Sequence, residues 1–428
     1  MGMTCAAAVE IDPKAATVYR RNWGVDPLGD ITELAGEAEV AIPDHDVLCA
    51  GFPCQPFSKS GAQRGMEETR GTLYWNILRI IEDRRPAMVL LENVRNLAGP
   101  RHIHEWDLIV QTLRDEGYRV ADEPSIFSPH LLPRAMGGRP QVRERVFIAA
   151  TRVDDPTTFS LQAEPVASNR TVEGWDPQRW KLPSGLPLNR ASASGAYRLS
   201  PQEEMWIDTW DELVQIMWEM AAAGRMERDR LPGFPIWADE WPRRRATSTL
   251  GLPKWKAGFI DKNVDLFERL MDDRDARRWI ERGRIFEDDV PPSRRKLEWQ
   301  AQDSPSLWKT VMHLRPSGIR AKRPTYLPAL VAITQTSIYG PQRRRLSPRE
   351  AARLQGLPEW FDFGDQADSA TYRQLGNGVS TGVVWHVLRE HARRDGDVLK
   401  ITNPALLEAI LGSPESPDQI LAESDPHS

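Results

Sequence analysis

The sequence predicts an α/β protein: a doubly wound sheet with helices on both faces, interrupted by a second unit of different texture. Three observations lead there. Short apolar runs of strand length alternate with helical patterns through the first 150 residues, the pattern of a mostly parallel sheet with crossover helices. The alternation stops near Asp154, where a stretch rich in Pro, Arg and Trp begins. Strong helical periodicity returns near the end, after Ser347.

Each element has its own signal. Residues 44–52 (DHDVLCAGF), 86–94 (PAMVLLENV) and 145–151 (RVFIAAT) are apolar and strand-sized. Between them, 69–85 repeats apolar residues at Leu73, Ile77, Ile80 and Ile81, one helix face with basic residues at its end. Residues 104–117 read as a second helix, closed by Gly117. The stretch 154–310 holds eleven of the 16 tryptophans, with helical patterns at 201–223 and 261–285. A segment this long is an inserted domain rather than a loop. Its tryptophans are either stacking platforms for bases or core residues, and the core is favoured. Ser347, Pro348 and Glu350 form a capping box with a proline start, and residues 378–394 form a last helix after a Gly376-Asn377-Gly378 turn. The expected organisation is 1–153, first part of the main domain; 154–340, the insert; 341–395, hinge and return; and 396–428, a tail disordered from about 412.

Composition narrows the function classes. With 428 residues, 27% charged and 40% hydrophobic, the chain can form two or three packed units and is not broadly disordered. There is no run of about 18 apolar residues and no basic, then apolar, leader, so neither a membrane span nor a secretory signal is expected. Three cysteines (Cys5, Cys49, Cys54) cannot build a disulfide framework, which points to a reducing, cytoplasmic setting. Net charge is −5, yet Lys309 to Arg349 carries nine Lys or Arg and no acid. That run, with Arg320 and Arg344 in it, is either a solvated surface or a phosphate-contacting face.

In open α/β sheets, ligands sit beyond the carboxyl ends of the strands. The first strand delivers Pro53-Cys54-Gln55-Pro56, and the second delivers Glu92-Asn93-Val94. A thiol and a carboxyl are thereby offered at one rim, with Arg143 and Arg145 of the third strand beside them. A lone cysteine is more often a small buried hydrophobe, and a lone Glu92 could simply pair with an arginine. The combination is more specific, since a cysteine between two prolines at a strand end is poorly suited to packing. A thiol of ordinary pKa (about 8.5) is only slightly ionised at neutral pH, so Arg145 and backbone N–H groups would assist it.

These residues carry a resemblance. GFPCQPFS (51–58), ENV (92–94), QVRERVFI (141–148), the RLSPREAARLQGLPEWF region (345–361) and RQLGNGVS (373–380) resemble, in order, the signature blocks of the DNA cytosine-5 methyltransferases of bacterial restriction–modification systems. The similarity covers 1–152 and about 325–395, and 154–310 falls where that family keeps its variable target-recognition domain. It implies a Rossmann-like methyltransferase sheet, S-adenosylmethionine as methyl donor, no metal, and a flipped-out cytosine in a specific double-stranded DNA sequence. Cys54 would attack C6, Glu92 would hold or protonate N3, Arg145 would hold O2, and Arg143 would support the pocket. By the same resemblance Glu10, Ile11, Asp30, Ile31, Pro53, Leu73, Asn377 and Val379 would contact the methyl donor, and Ser58, Ser60 and Gln63 would approach DNA. The expected protein acts as a monomer on DNA, with a cognate endonuclease as possible companion. The family's Gly-rich first block should precede Glu10, but only nine residues do. The expectation is therefore that the natural polypeptide starts upstream or that a separate chain supplies the block. Two alternatives stay open on sequence alone, an RNA cytosine-5 methyltransferase and a catalytically impaired DNA-binding remnant.

Overall fold

The computed structural model describes residues 1–53, 72–182, 195–226, 231–241, 251–301, 304–330 and 336–423. It divides into two compact units, residues 1–180 with 328–334 and 351–428, and residues 181–327 with 335–350.

The first unit is built on a sheet of β1 (Val47–Gly51), β2 (Met88–Val94), β3 (Tyr118–Ala121), β4 (Ser125–Phe127), β5 (Arg145–Arg152) and β6 (Gln162–Ala163). Its order is β1-β2-β5-β3-β6, with β4 also on β5. β1 and β2 are parallel, as are β3 and β6, whereas β5 runs antiparallel to β2, β3 and β4. The sheet is thus mixed. The apolar run 145–151 announces a buried strand but not its direction, because a strand covered on both faces reads the same either way.

Residues of β2 and β5 alternate between two cores, as a period of two requires. Val89, Leu91, Val146, Ile148 and Ala150 meet α3 (Leu73–Arg84) and α4 (Ile103–Asp115) on one face. Met88, Leu90, Phe147 and Ala149 meet α10 (Thr381–Arg394) and α12 (Pro404–Leu411) on the other. Helices cover both faces. Thr72 caps α3, and Arg85 in a left-handed conformation ends it. Two helices precede the sheet, α1 (Pro13–Trp23), capped by Asp12, and α2 (Ile31–Leu34), capped by Asp30.

The second unit holds another six-stranded sheet among its described residues: β7 (Ile236–Trp237), β8 (Lys296–Gln300), β9 (Val311–Arg315), β10 (Gly318–Lys322), β11 (Ile338–Tyr339) and β12 (Arg344–Arg345), ordered β12-β11-β9-β10-β8-β7. One face packs on α5 (Pro201–Ala222), α6 (Lys254–Asp272) and α7 (Arg274–Arg282). Trp210, Trp241, Trp279 and Trp299 lie inside that core, so they pack rather than stack on bases. Trp255 is exposed.

Three expected boundaries need correction. Residues 154–180 belong to the first unit, not to the insert. They return to it through β6 on β3, through the Val166 N–H on Ser125 Oγ, and through the Trp175 and Trp180 indoles, which both donate to the His130 carbonyl. Residues 341–350 belong to the second unit, because β12 pairs with β11 and the Arg345 N–H donates to the Tyr197 carbonyl. The chain re-enters the first unit inside α8 (Pro348–Gln355), and α9 (Asp368–Asn377) and α10 follow. Finally, the tail is ordered well past 412. After α11 (Gly396–Thr402) and α12 comes α13 (Pro417–Glu423). It is tied down by a two-pronged Arg139–Asp418 pair and by the Trp360 indole donating to the Leu421 carbonyl. Pro and Ser in 412–417 mark the turn before a helix, which composition alone does not separate from disorder.

Candidate active site

The β1–β2 register places Gly51 opposite Glu92. A Cβ at Gly51 would lie 3.3 Å from Glu92 Oε2, so the missing side chain is what leaves room for the carboxyl. Next to it, buried Asn93 donates from Nδ2 to the Phe52 carbonyl at 2.8 Å and accepts from the Val94 N–H. Asn93 therefore fixes the chain two residues before Cys54 in the sequence. Cys54, Ser58, Ser60 and Gln63 all lie outside the described residues. Pro53, the last described residue before them, is exposed.

Glu92 and Arg145 meet across the β2–β5 pair, with Arg145 Nε 2.9 Å from Glu92 Oε1. Burial raises the Glu92 pKa above its ordinary value, while Arg145 and Arg143 pull against it without cancelling it. The result is a carboxyl predisposed to keep its proton, next to a cation that can hold a carbonyl oxygen.

Arg143 is almost completely buried, at 1% exposure. Its guanidinium donates to the Leu330 carbonyl at 2.7 Å, to the Gly376 carbonyl at 2.7 Å and to the Gly378 carbonyl. Burial and the like charge of Arg145 lower its pKa, with Glu92 opposing. Three carbonyls suit a charged, five-donor group. Arg143 therefore pins the Gly376-Asn377-Gly378 segment to the start of β5 rather than touching the Glu92 carboxyl. That segment is the end of α9 rather than a free turn, with Asn377 exposed and Val379 packed on the adjacent core.

The residues expected at the methyl donor lie along the same unit. Glu10 Oε1 accepts the Asp12 N–H at 2.7 Å, and Asp12 pairs with Arg373 of α9 at 3.1 Å, one turn before Asn377. Ile11 is 69% exposed, a large apolar side chain facing solvent. Asp30 Oδ1 caps α2 by accepting from the Thr32 N–H and Oγ1 at 2.8 Å. Ile31, Leu48 and Phe52 each pack against the core that α3 and α4 cover, while Leu73 is half-buried at the start of α3, next to Tyr74, whose ring is 5.6 Å from that of Phe52. A separate cavity of about 510 Å³, between α1 (Lys14, Arg21) and residues Gly364 to Ala367, contains none of these residues.

Arg344 requires a correction. It is fully buried and meets Glu350 through two bonds of 2.8 and 2.9 Å, so its guanidinium is held inside the unit rather than presented at the surface. The same carboxylate accepts from the N–H and hydroxyl of Ser347, the capping box of α8. Arg320 is different. It pairs with Glu298 on one sheet face of the second unit, where Arg315 and Lys322 also stand. On that face His313, its Nε2 2.6 Å from Ser337 Oγ, is pushed down to about 3 by burial and by the surrounding cations Arg315, Lys322, Arg320 and Arg345. Burial lowers Arg315 and Lys322 as well, followed by mutual repulsion with Arg320. The cluster holds more positive charge than Glu298 balances.

Sequence reasoning did not single out Gly51 or Asn93 for the site, although both belong to quoted motifs. Their roles come from register and from a side-chain bond across strands, which a linear motif does not display.

The profile of the C-5 cytosine-specific DNA methylases matches residues 1–393. The chain is 48% identical over 495 aligned positions to the Type II methyltransferase M.AluI of Cellulosimicrobium cellulans, spanning 97% of this chain and 93% of that one. It is 28% identical to the Type II methyltransferase M.BanI of Aneurinibacillus aneurinilyticus over 90% of this chain and 88% of the other. Among solved structures, a putative DNA modification methyltransferase of an E. coli prophage is similar with a TM-score of 0.41 at 20% identity, covering 93% of this chain and 94% of that one. By family match and by near-full-length similarity, the chain belongs to the C-5 cytosine-specific DNA methylases.

Proposed function

We propose that this protein transfers a methyl group from S-adenosylmethionine to C5 of a cytosine flipped out of a specific double-stranded DNA sequence, as the methylase of a Type II restriction–modification system. The observation that carries the reading is the half-buried Glu92–Arg145 pair at the ends of β2 and β5, with its carboxyl held toward the protonated form.

The chemistry follows from the residue types. Cytosine C5 is too weak a nucleophile to be methylated directly. Addition of the Cys54 thiolate to C6 forms a C–S bond and pushes an electron pair toward N3, making C5 enamine-like. Glu92 donates its proton to N3 and takes up the charge that addition creates. Arg145 holds O2 by a charge-assisted bond. When bound, S-adenosylmethionine supplies the electrophilic methyl. Return of the N3 proton to Glu92 and loss of the C5 proton to water then let the C–S bond break, which restores the aromatic ring and releases the Cys54 thiolate. None of these groups can reach a base inside a duplex, so the cytosine must leave the stack.

The side chains present suit the methyl donor. Glu10 and Asp30 each have a carboxylate oxygen beyond the one engaged in a local bond, which can accept from ribose hydroxyls or an exocyclic amine. Ile11 and Leu73 offer apolar contact for the adenine, Asn377 lies within the segment that Arg143 pins, and Val379 directly follows it. On the second unit, the face bearing Arg315, Arg320 and Lys322 supports backbone contact with DNA. A cognate endonuclease, action as a monomer and a cytoplasmic location complete the proposal. No described helix is long and apolar enough to cross a membrane.

The test is covalent trapping. DNA containing 5-fluorocytosine should form a stable adduct with the protein in the presence of S-adenosylmethionine, since fluorine cannot leave as the C5 proton does. Cys54→Ser should abolish the adduct while retaining DNA binding. An adduct that persists in Cys54→Ser would remove Cys54 as the nucleophile.

A further inference from the structure

Between Arg143 and Arg145 stands Glu144, whose side chain the chemistry above leaves unused. Its carboxylate accepts from Arg95 Nη1 at 2.5 Å and from Asn169 Nδ2 at 2.8 Å. Burial pushes the Glu144 pKa up, but these two bonds, with the charges of Arg95 and His130, bring it below the usual value, so it is anionic. Its backbone carbonyl meanwhile accepts from Arg145 Nη1 at 2.9 Å. Arg95 directly follows the last residue of β2. The contacts therefore close a ring, from Glu92 along β2 to Arg95, across to Glu144, through its carbonyl to Arg145, and back to Glu92. An isolated surface pair such as Arg95–Glu144 would contribute little. Closure changes that, because each member restrains the orientation of the next.

We propose that Glu144 is a positioning residue, whose carboxylate, gripped by Arg95 and Asn169, fixes the carbonyl that aims the Arg145 guanidinium at Glu92. The proposal rests on the reading of Glu92 and Arg145 as the groups that hold the cytosine. It adds to that reading a reason for an acid between two arginines, and it recruits Asn169 from the segment that returns to the first unit.

The test reads Glu92 directly. In the full chain with carboxyl-¹³C glutamate, the Glu92 resonance is assigned by its loss in Glu92→Gln and followed with pH. The charged groups facing Glu92 are Arg145 and Arg143; Glu144 faces the cation Arg95 and the titratable His130, whose pKa burial lowers to about 4. Loosening Arg145 weakens its pull against burial, so in Glu144→Ala the Glu92 titration should move up by about half a unit or more. The sign discriminates, because simple deletion of a nearby negative charge would move it down. Arg95→Ala, at a half-exposed position, should shift it in the same upward direction, and Glu144→Gln, which keeps an acceptor, should shift it less. In turnover, kcat of Glu144→Ala should fall by about tenfold to 10²-fold, with KM for S-adenosylmethionine unchanged. A Glu92 titration that is unmoved or lowered in Glu144→Ala and Arg95→Ala overturns the proposal, as does unchanged kcat. Full activity in Glu92→Gln would instead count against the reading of the site, which separates the two failures.

Discussion

Glu92 shows how one side chain serves chemistry at the expense of stability. Its folded-state pKa lies above the unfolded value, with burial outweighing both arginines. The native state thus binds its proton more tightly, and stability falls as pH rises from the ordinary carboxyl range through the folded-state pKa. Glu92→Gln, a neutral mimic of the protonated form, is therefore expected to leave Tm at neutral pH unchanged or raised in a thermal melt. The same substitution should lower kcat by about 10²- to 10⁴-fold in a methyl-transfer assay. At this scale the sequence was informative about identity but silent about geometry. The ENV and RER runs put Glu92, Arg143 and Arg145 forward together. Nothing linear says that Arg145 reaches the carboxyl while Arg143 turns to three backbone carbonyls, since the first depends on strand register and the second on residues more than 180 positions away.

At the scale of elements, the capping box of α8 was legible because its chemistry is local. Ser347 and Glu350 are three residues apart and need no tertiary partner. What sequence could not show is that the same Glu350 also accepts a buried Arg344, taken from a run of cations that reads as either a solvated surface or a phosphate-contacting face. Glu350→Ala removes the carboxylate facing a fully buried cation and should cost roughly 3–5 kcal/mol in a urea melt. A loss near 1 kcal/mol, the worth of a cap alone, would mean that water or another acceptor replaces it. The reversed direction of β5 was hidden for a related reason. Strand polarity is set by which neighbour a segment pairs with, and 145–151 would be equally apolar in either sense.

For the whole molecule, net charge was a poor guide and its distribution a better one. A chain of net charge −5 gathers Arg315, Arg320 and Lys322 on one sheet face of its second unit around a histidine kept neutral by burial and neighbouring cations. Like charges held together cost stability unless an anionic partner arrives. If these three meet phosphates, Arg315→Gln and Lys322→Gln should each reduce the slope of log K against log salt by about 0.9 in a DNA titration. An unchanged slope would move the backbone contact elsewhere. The division into two units was readable in the shift of texture near Asp154, but its position was not. Residues 154–180 look like the insert in composition and return to the first unit through contacts that composition does not encode.

The bonds from Arg143 to the Gly376 and Gly378 carbonyls also order events in time. A ribosome making this protein delivers the guanidinium more than two hundred residues before the carbonyls that will receive it. Until then a cation destined for the interior has to remain hydrated. A chain released before residues 376–378 are made therefore cannot bury Arg143 as it is buried here.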